Sequence, residues 1–103
     1  MNSYLSVFRS LKGENQVIEA YDAILNSWPV PVSELYVNTS LGSTHVIVSG
    51  PEEAPPLILI HAFYASAVSW FGNIKSLSQS FRVYAVDIIG DPNKSKPYPS
   101  ISS

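Results

Sequence analysis

The sequence predicts an α/β domain in which helices pack on a mixed β-sheet. Apolar residues recur at helical spacing in residues 14–28, and their period changes to two in residues 34–50. Two largely apolar runs, at residues 57–60 and 82–87, then flank a second helical pattern. Strand, helix and strand joined by short connections form a right-handed parallel crossover. We therefore expect antiparallel and parallel pairs in one sheet.

Composition excludes several functional classes. Apolar residues make up 46% of the 103 residues and charged ones 14%, which is typical of a chain that forms a core. The net charge of −2, with no basic stripe, argues against a nucleic-acid partner. The chain has no cysteine, no signal-peptide pattern and no apolar run of membrane-spanning length. These features predict a cytoplasmic protein without a membrane partner.

The chain is expected to form a single, incomplete domain over residues 1–103. Its parts are a helical N-terminal segment at 1–30, a sheet portion at 34–96 and a mobile tail at 97–103. In the tail region, "KPYPSISS" is polar and rich in proline, so we expect the last ordered element to end before it.

Two helices are predicted in the N-terminal segment. The first follows the spacing of Leu5, Phe8 and Leu11, and Gly13 is expected to end it in a left-handed conformation. The second lies in "ENQVIEAYDAILNSWP", where Pro29 closes it. Its apolar stripe comprises Val17, Ile18, Tyr21, Ile24, Leu25 and Trp28. We interpret this as a helix that packs on the sheet, with a partner-binding helix as the alternative.

Alternating apolar residues from position 34 predict an antiparallel hairpin. Its strands are "ELYVNTS" and "THVIVSG", and Gly42 supplies the tight turn between them. His45 shares a strand face with Ile47. We expect a half-exposed side chain for His45, because one isolated imidazole does not make a metal site.

The crossover begins at "LILI", a run typical of a strand that is buried on both faces. The helix in "SAVSWFGNIKSLSQS" is expected to start at Ser66 or Ser69. Its predicted inner face comprises Trp70, Phe71, Ile74 and Leu77. The strand "FRVYAVD" then ends on Asp87, and Phe81 and Tyr84 are predicted core residues. Lys94 and Lys96 are interpreted as solvated charges.

Candidate functional residues follow both parallel strands, where ligands bind in open α/β sheets. His61 and Ala62 follow the first strand, in a loop whose N–H groups can face a developing negative charge. Asp87 and a turn at Gly90 follow the second, and the carboxylate can accept N–H bonds from both loops. We favour a structural role for His61 and Asp87. A dyad, or a metal site that includes Asp91, is the alternative.

These motifs, in this order, resemble the N-terminal part of an α/β-hydrolase of the bacterial carboxylesterase-like branch. The resemblance rests on "WPVP", "STHVIVSGPEEAPPLILIH", "HAF" and "DIIGDPNKS", and it covers residues 14–96. It implies that the backbone N–H of Phe63 is one of two oxyanion-hole donors. It also implies an ester substrate, no cofactor or metal, and an active-site frame shaped by His61, Ala62, Tyr64, Asp87 and Gly90.

Two residues depart from the family pattern. Ala62 stands where the family usually has a glycine after the histidine, which narrows the available backbone angles. Asn93 stands where a second glycine is common, and asparagine tolerates a left-handed conformation.

The sequence lacks the groups that would complete a catalytic triad. It contains no Gly-x-Ser-x-Gly nucleophile elbow, and His61 precedes the position of a nucleophile, whereas the base of the family comes last. One hypothesis is an N-terminal fragment of a serine hydrolase acting on carboxylic esters, inactive alone. The alternative is a non-catalytic interaction module that self-associates through an open sheet edge at residues 57–61. Dehalogenase-like or epoxide-hydrolase-like relatives would need an Asp nucleophile, and a backbone donor at Phe63 favours esters.

Overall fold

The computed structural model describes residues 11–62, 66–90 and 93–97. Its first element is helix α1 (Leu11–Asn26), the amphipathic helix expected from the sequence. The first predicted helix falls mostly outside the described residues. Gly13 lies inside α1, so the prediction that it ends a helix was wrong. One interior glycine costs about 1 kcal/mol of helix stability, a penalty that the packing of α1 exceeds.

The remaining elements form one mixed sheet with a short helical crossover. In chain order they are β1 (Val32–Thr39), β2 (Gly42–Ser49), β3 (Pro56–Ile60), a 3-10 helix (Ala67–Gly72), α2 (Ile74–Leu77), β4 (Arg82–Val86) and β5 (Lys96–Pro97). The strand order is β1-β2-β4-β3, and β5 pairs with β2. β3 and β4 are parallel, and the other pairs are antiparallel. The predicted fold class is confirmed, with β3 at an edge.

The hydrophobic core lies between one face of the sheet and the helical segments. Ile47, Val83 and Ala85 contribute from the strands and are fully buried. Tyr21, Leu25 and Trp28, from α1 and the residues after it, pack against them together with Ala67 and Ile74. The packing role predicted for α1 is therefore confirmed.

The opposite face of the sheet is exposed at β3, although Val46 and Val48 of β2, which share this face, are buried. Side chains alternate along a strand, so Tyr84 and Val86 point away from the core that holds Val83 and Ala85. Ile58 and Ile60 pair with Tyr84 and Val86 and share that face, where they are 65% and 56% exposed. The expectation that "LILI" is buried on both faces was wrong, because within the described residues β3 has only β4 beside it and no helix covers its outer face.

The crossover helix is shorter and less regular than predicted. It divides into the 3-10 helix and α2, at Gly72 and Asn73, where helix propensity is low. Ser66 occupies the N-cap position, but its side chain makes no capping hydrogen bond. The predicted inner face is confirmed for Ile74, which is buried, and for Trp70 and Leu77, which pack against the core. Phe71 is 39% exposed.

Both predicted core residues around β4 are only partly buried. Phe81 packs against the core. Tyr84 lies on the opposite face of the sheet.

The predicted hairpin is confirmed, but Gly42 has a different role. Ser40 and Leu41 form the turn, and Gly42 opens β2 with φ +151°. A Cβ atom at Gly42 would lie 2.2 Å from the carbonyl oxygen of Lys96, because β5 runs directly beside it. The expectation that ordered structure ends before Lys96 was therefore wrong. Two residues are too few to carry a strand pattern in the sequence.

Residues 98–103, the rest of the predicted mobile tail, lie outside the described residues. Within the described part of the chain, no helix is both long and apolar enough to cross a bilayer.

Candidate active-site frame

Asp87 is fully buried at the carboxyl end of β4 and joins the two loops predicted to flank the site. Its Oδ1 accepts a hydrogen bond of 2.7 Å from the N–H of Ala67, at the start of the 3-10 helix. Its Oδ2 accepts one of 2.7 Å from the hydroxyl of Tyr21 and a longer one of 3.3 Å from the N–H of Lys94. One carboxylate therefore links α1, the loop after β3 and the segment after β4.

His45 belongs to the same buried cluster. Its Nδ1 lies 2.8 Å from Asp87 Oδ2, and its Nε2 lies 2.8 Å from Glu34 Oε1. The ring has no exposed surface, so the prediction of a half-exposed side chain was wrong. Tyr21 of α1 and Tyr36 of β1 place their rings against the imidazole and cover it. We call Tyr21, Glu34, His45, Asp87 and Lys94 the His45–Asp87 cluster.

Lys94 supplies the second cation of the cluster. Its Nζ lies 3.0 Å from Glu34 Oε1 and also pairs with Asp22 of α1. The ammonium sits 4.9 Å from the centre of the Tyr21 ring, and the side chain is only 12% exposed. The interpretation of Lys94 as a solvated charge was therefore wrong. Lys96 also pairs, with Glu14 of α1, but its side chain keeps 32% of its surface exposed.

The electrostatics of the cluster hold these groups in defined protonation states. Burial alone would raise the pKa of Glu34, but hydrogen bonds from Lys94 and His45 outweigh it and hold this pKa below its usual value. Burial would lower the pKa of Lys94, but its bonds to Asp22 and Glu34 raise it instead. Burial, and then the charge of Asp87, raise the pKa of Tyr21. Glu34 is thus an anion, Lys94 a cation and Tyr21 a neutral donor.

Two polar side chains fix the segment after β4. Asn93 is buried, and its side chain donates to the carbonyl of Ile88 and accepts from the N–H of Ser95, both at 2.8 Å. Ser95 Oγ donates to the carbonyl of Asp87 at 2.6 Å and accepts from the N–H of His45 at 2.7 Å. Sequence reasoning missed this role for Asn93, although asparagine often bonds the backbone two residues on. Gly90 has a φ of +102° at its predicted turn.

His61 connects the ends of the two parallel strands. Its ring is nearly buried, and Nε2 accepts a hydrogen bond of 2.9 Å from the N–H of Ile88. Its Nδ1 lies 2.7 Å from the carbonyl oxygen of Ala62 and acts as the donor of that pair. The histidine whose ring bonds the Asp87 carboxylate is His45, on an antiparallel strand that the sequence had not associated with the site.

The remaining candidates are distributed around this frame. Ala62 is exposed at the end of β3. Phe63, Tyr64 and Asp91 lie outside the described residues, so the oxyanion role of Phe63 stays a prediction. Over residues 11–62, 66–90 and 93–97, no three histidine, aspartate or glutamate side chains are arranged to hold a metal ion.

An open depression lies beside Asp87 at the carboxyl end of β4, with a volume of about 410 Å³. Its walls are mainly apolar or hydroxyl-bearing and comprise Thr39, Ser40, Leu41, Thr44, Val86, Asp87, Ile88 and Ile89. It lies between the β1–β2 turn and the end of β4, and neither His61 nor Ala62 at the end of β3 lines it.

Comparison with known proteins places this frame in a family. No family model matches the chain. The chain is 47% identical over 90 residues to carboxylesterase YbfK of Bacillus subtilis. The aligned residues make up 87% of this chain and 30% of that protein. It is 51% identical over 79 residues to the uncharacterized carboxylesterase nap of the same organism, covering 77% and 26% of the two chains.

The fold agrees with these sequence matches. The crystal structure of naproxen esterase from Bacillus subtilis superposes with a TM-score of 0.81 at 46% identity, over 89% of this chain and 32% of that one. The chain spans between 26% and 32% of the length of these three relatives. By sequence and by fold, it corresponds to the N-terminal part of an α/β-hydrolase of the bacterial carboxylesterase-like branch.

Proposed function

We propose that this chain is the part of a serine hydrolase acting on carboxylic esters that carries the first oxyanion-hole loop. The observation that carries the proposal is the identity of 47% and 51% to two proteins named carboxylesterases, together with the superposition on naproxen esterase at a TM-score of 0.81. Fold alone does not set chemistry, so the identity to esterases is the stronger of the two.

The loop in question is fastened at both ends to the residues that follow β4. At its start, His61 Nε2 bonds the N–H of Ile88, and at its end the N–H of Ala67 bonds Asp87 Oδ1. These two anchors support the site-shaping roles proposed for His61 and Asp87. A loop held in this way can present a backbone N–H to a fixed point, which an oxyanion hole requires.

In the proposed mechanism, the N–H of Phe63 donates to the ester carbonyl oxygen as negative charge develops on it. Ala62 and Tyr64 flank this donor in the sequence, and the Gly90 turn follows β4. The sequence offers no nucleophile elbow, so we propose that these residues alone do not turn over an ester. A cytoplasmic location without nucleic-acid or membrane partners stays a prediction from composition.

The first test joins intact mass with ester hydrolysis. The purified 103-residue chain is weighed by mass spectrometry before and after storage, and the same samples are assayed with a short-chain chromogenic ester. We expect no turnover by the 103-residue species. Turnover by a sample that contains only this species would contradict the proposal.

A chimaera tests the role of Phe63 directly. Residues 14–96 replace the matching part of carboxylesterase YbfK, and ester hydrolysis is compared for Phe63→Pro, which removes the backbone N–H, and Phe63→Leu, which keeps it. Removing one oxyanion-hole donor lowers kcat by about 10²–10³-fold. Equal activity of the two variants, or a folded chimaera without esterase activity, would count against the proposal.

The open edge supports a second candidate, a non-catalytic module that self-associates through residues 57–61. The specific observation is the exposure of Ile58 and Ile60 on an edge strand. Native mass is measured over a range of concentrations for the chain and for Ile58→Lys, with Leu35→Lys on β1 as the matched control. Oligomers that only Ile58→Lys dissociates would support this candidate, and a monomer at all concentrations would eliminate it.

A further inference from the structure

The hydrogen-bonding partners of Asp87 identify it as an ionised acceptor. The N–H of Ala67 and the N–H of Lys94 can only donate, and the single hydroxyl proton of Tyr21 lies on the 2.7 Å line to Oδ2. An ionised carboxylate accepts at both oxygens and donates at neither. His45 Nδ1, 2.8 Å from the same Oδ2, must therefore carry a proton to make a favourable contact.

The other side of the imidazole ring leads to the same conclusion. His45 Nε2 lies 2.8 Å from Glu34 Oε1, which also accepts from Lys94 Nζ at 3.0 Å. An ammonium group has no acceptor, so this glutamate oxygen is an acceptor as well. Nε2 must then be a second N–H donor. Each ring nitrogen thus faces a carboxylate oxygen at 2.8 Å.

We propose that His45 is a positioning residue: a buried imidazolium held between Glu34 and Asp87 that fixes the Asp87 carboxylate, so that Oδ1 meets the N–H of Ala67. The loop after β3 is then oriented from a strand on the far side of β4. The effect of His45 on catalysis rests on the proposed function. The protonation of its ring does not.

The charges around the ring come from every element packed against it. Helix α1 contributes Tyr21 and Asp22, and β1 contributes Glu34 and Tyr36. The segments after β4 contribute Asp87 and Lys94. Two cations, His45 and Lys94, thus face three carboxylates, those of Asp22, Glu34 and Asp87. A buried charge is tolerated when it is paired and hydrogen-bonded in this way.

The first test needs no variant. The two histidines of the full 103-residue chain are ¹⁵N-labelled, and ring protonation is observed by NMR at about pH 8, where an unpaired histidine is neutral. We expect N–H signals at both nitrogens of His45. His61 is the internal reference, because its Nε2 accepts a hydrogen bond from the N–H of Ile88 and should give no N–H signal. A ring nitrogen of His45 that carries no proton would overturn the inference.

The second test asks whether the imidazolium positions Asp87. In His45→Gln only one end of the side chain can donate, and we expect the amide of Ala67 to exchange about tenfold faster relative to the amide of Ala85. Ser49→Ala is the control: it loses a buried hydrogen bond to Trp28 on the same strand but touches no part of the His45–Asp87 cluster. It should leave the ratio unchanged. An unchanged ratio in His45→Gln would refute the positioning role.

Glu34→Gln provides a variant that should fold, because this side chain is 36% exposed. With one anion removed, we expect His45 to give up one ring proton at about pH 8. Retention of both protons would show that Glu34 is not needed to hold the charge and would contradict the inference. None of these measurements uses ester turnover, so the inference and the proposed function succeed or fail separately.

Discussion

The two faces of the sheet differ in how far the chain covers them with its own residues. On the face beneath α1, Ile47 and Val83 have no exposed surface, whereas on the other face Ile58 and Ile60 are more than half exposed. In β3 and β4 the residues on both faces are mainly apolar. The difference shows that strand composition reports how a sheet is covered in the complete fold, and that only one layer of this cover lies in the described residues.

The charged groups on the covered face, unlike the apolar residues of the other face, already have their partners. The His45–Asp87 cluster already pairs its charges within these residues, across α1, β1, β2 and the segments after β4. Within the described residues the charges of the site frame are therefore paired, whereas Ile58 and Ile60 on the other face stay exposed. Variants that affect the two faces unequally can break or sharpen this comparison.

The largest effect is expected at the centre of the polar cluster. Asp87→Ala removes the fully buried one of the two carboxylates beside the His45 ring, and removing one partner of a buried pair costs about 3–5 kcal/mol. Urea denaturation monitored by circular dichroism measures the loss. Asp22→Ala is the control, because its half-exposed carboxylate pairs only at the rim and should contribute about 0.2–1 kcal/mol. Equal losses would contradict the central role of Asp87.

A matched pair of isoleucines compares the faces directly. Ile47→Ala opens a cavity in the core and should cost about 2–5 kcal/mol. Ile58→Ala, on the exposed side of β3, should change the free energy of unfolding by no more than about 0.5 kcal/mol. The same denaturation experiment measures both. A large loss for Ile58→Ala would mean that something covers this face in solution.

Two glycines with positive φ separate crowding from backbone strain. In Gly42→Ala the new Cβ would collide with the Lys96 carbonyl and push β5 away, at a cost of about 2–3 kcal/mol. In Gly90→Ala the new Cβ meets no atom of the described residues within 4 Å, so we expect the backbone penalty of about 1–2 kcal/mol alone. Amide exchange of the residues of β2 that face β5 should increase in the first variant alone.

The smallest expected effect is the loss of stability at low pH that Glu34 causes. The folded-state pKa of Glu34 lies below its unfolded value, so its contribution is complete above the ordinary glutamate pKa of about 4.3 and is lost as pH falls through the lower folded value. Because Glu34 is partly exposed, we expect about 0.2–1 kcal/mol. Urea midpoints between about pH 6 and pH 3 should fall less in Glu34→Gln than in the unmodified chain.

Much of the fold follows from local sequence pattern. The stripe of α1, the alternation in the hairpin and the two apolar runs around the crossover identified their elements and the mixed sheet. The same pattern located His61 and Asp87 at neighbouring strand ends, since the carboxyl ends of parallel strands meet at one edge. These features depend on residues close in sequence, so local pattern is enough to predict them.

The polar cluster was not predictable in the same way. Alternation correctly put His45 on the face of Ile47, which is a core face, but it does not reveal which distant residues cover that face. The cover comes from Tyr21 in α1 and the charge balance from Lys94, which are remote in the chain. Periodicity describes how a strand is oriented, and pairing across the chain determines the state of each polar group.

These distant pairs also determine when the structure can form. Tyr21 and Asp87 are separated by 66 positions, and Glu14 and Lys96 by 82. Closing loops of this length is entropically unfavourable, and folds that depend on such contacts form slowly. During synthesis, α1 leaves the ribosome long before Asp87 and Lys94 are available to bind it. We therefore expect α1 to lack these contacts at first, and the domain to complete its folding only after residue 96 has emerged.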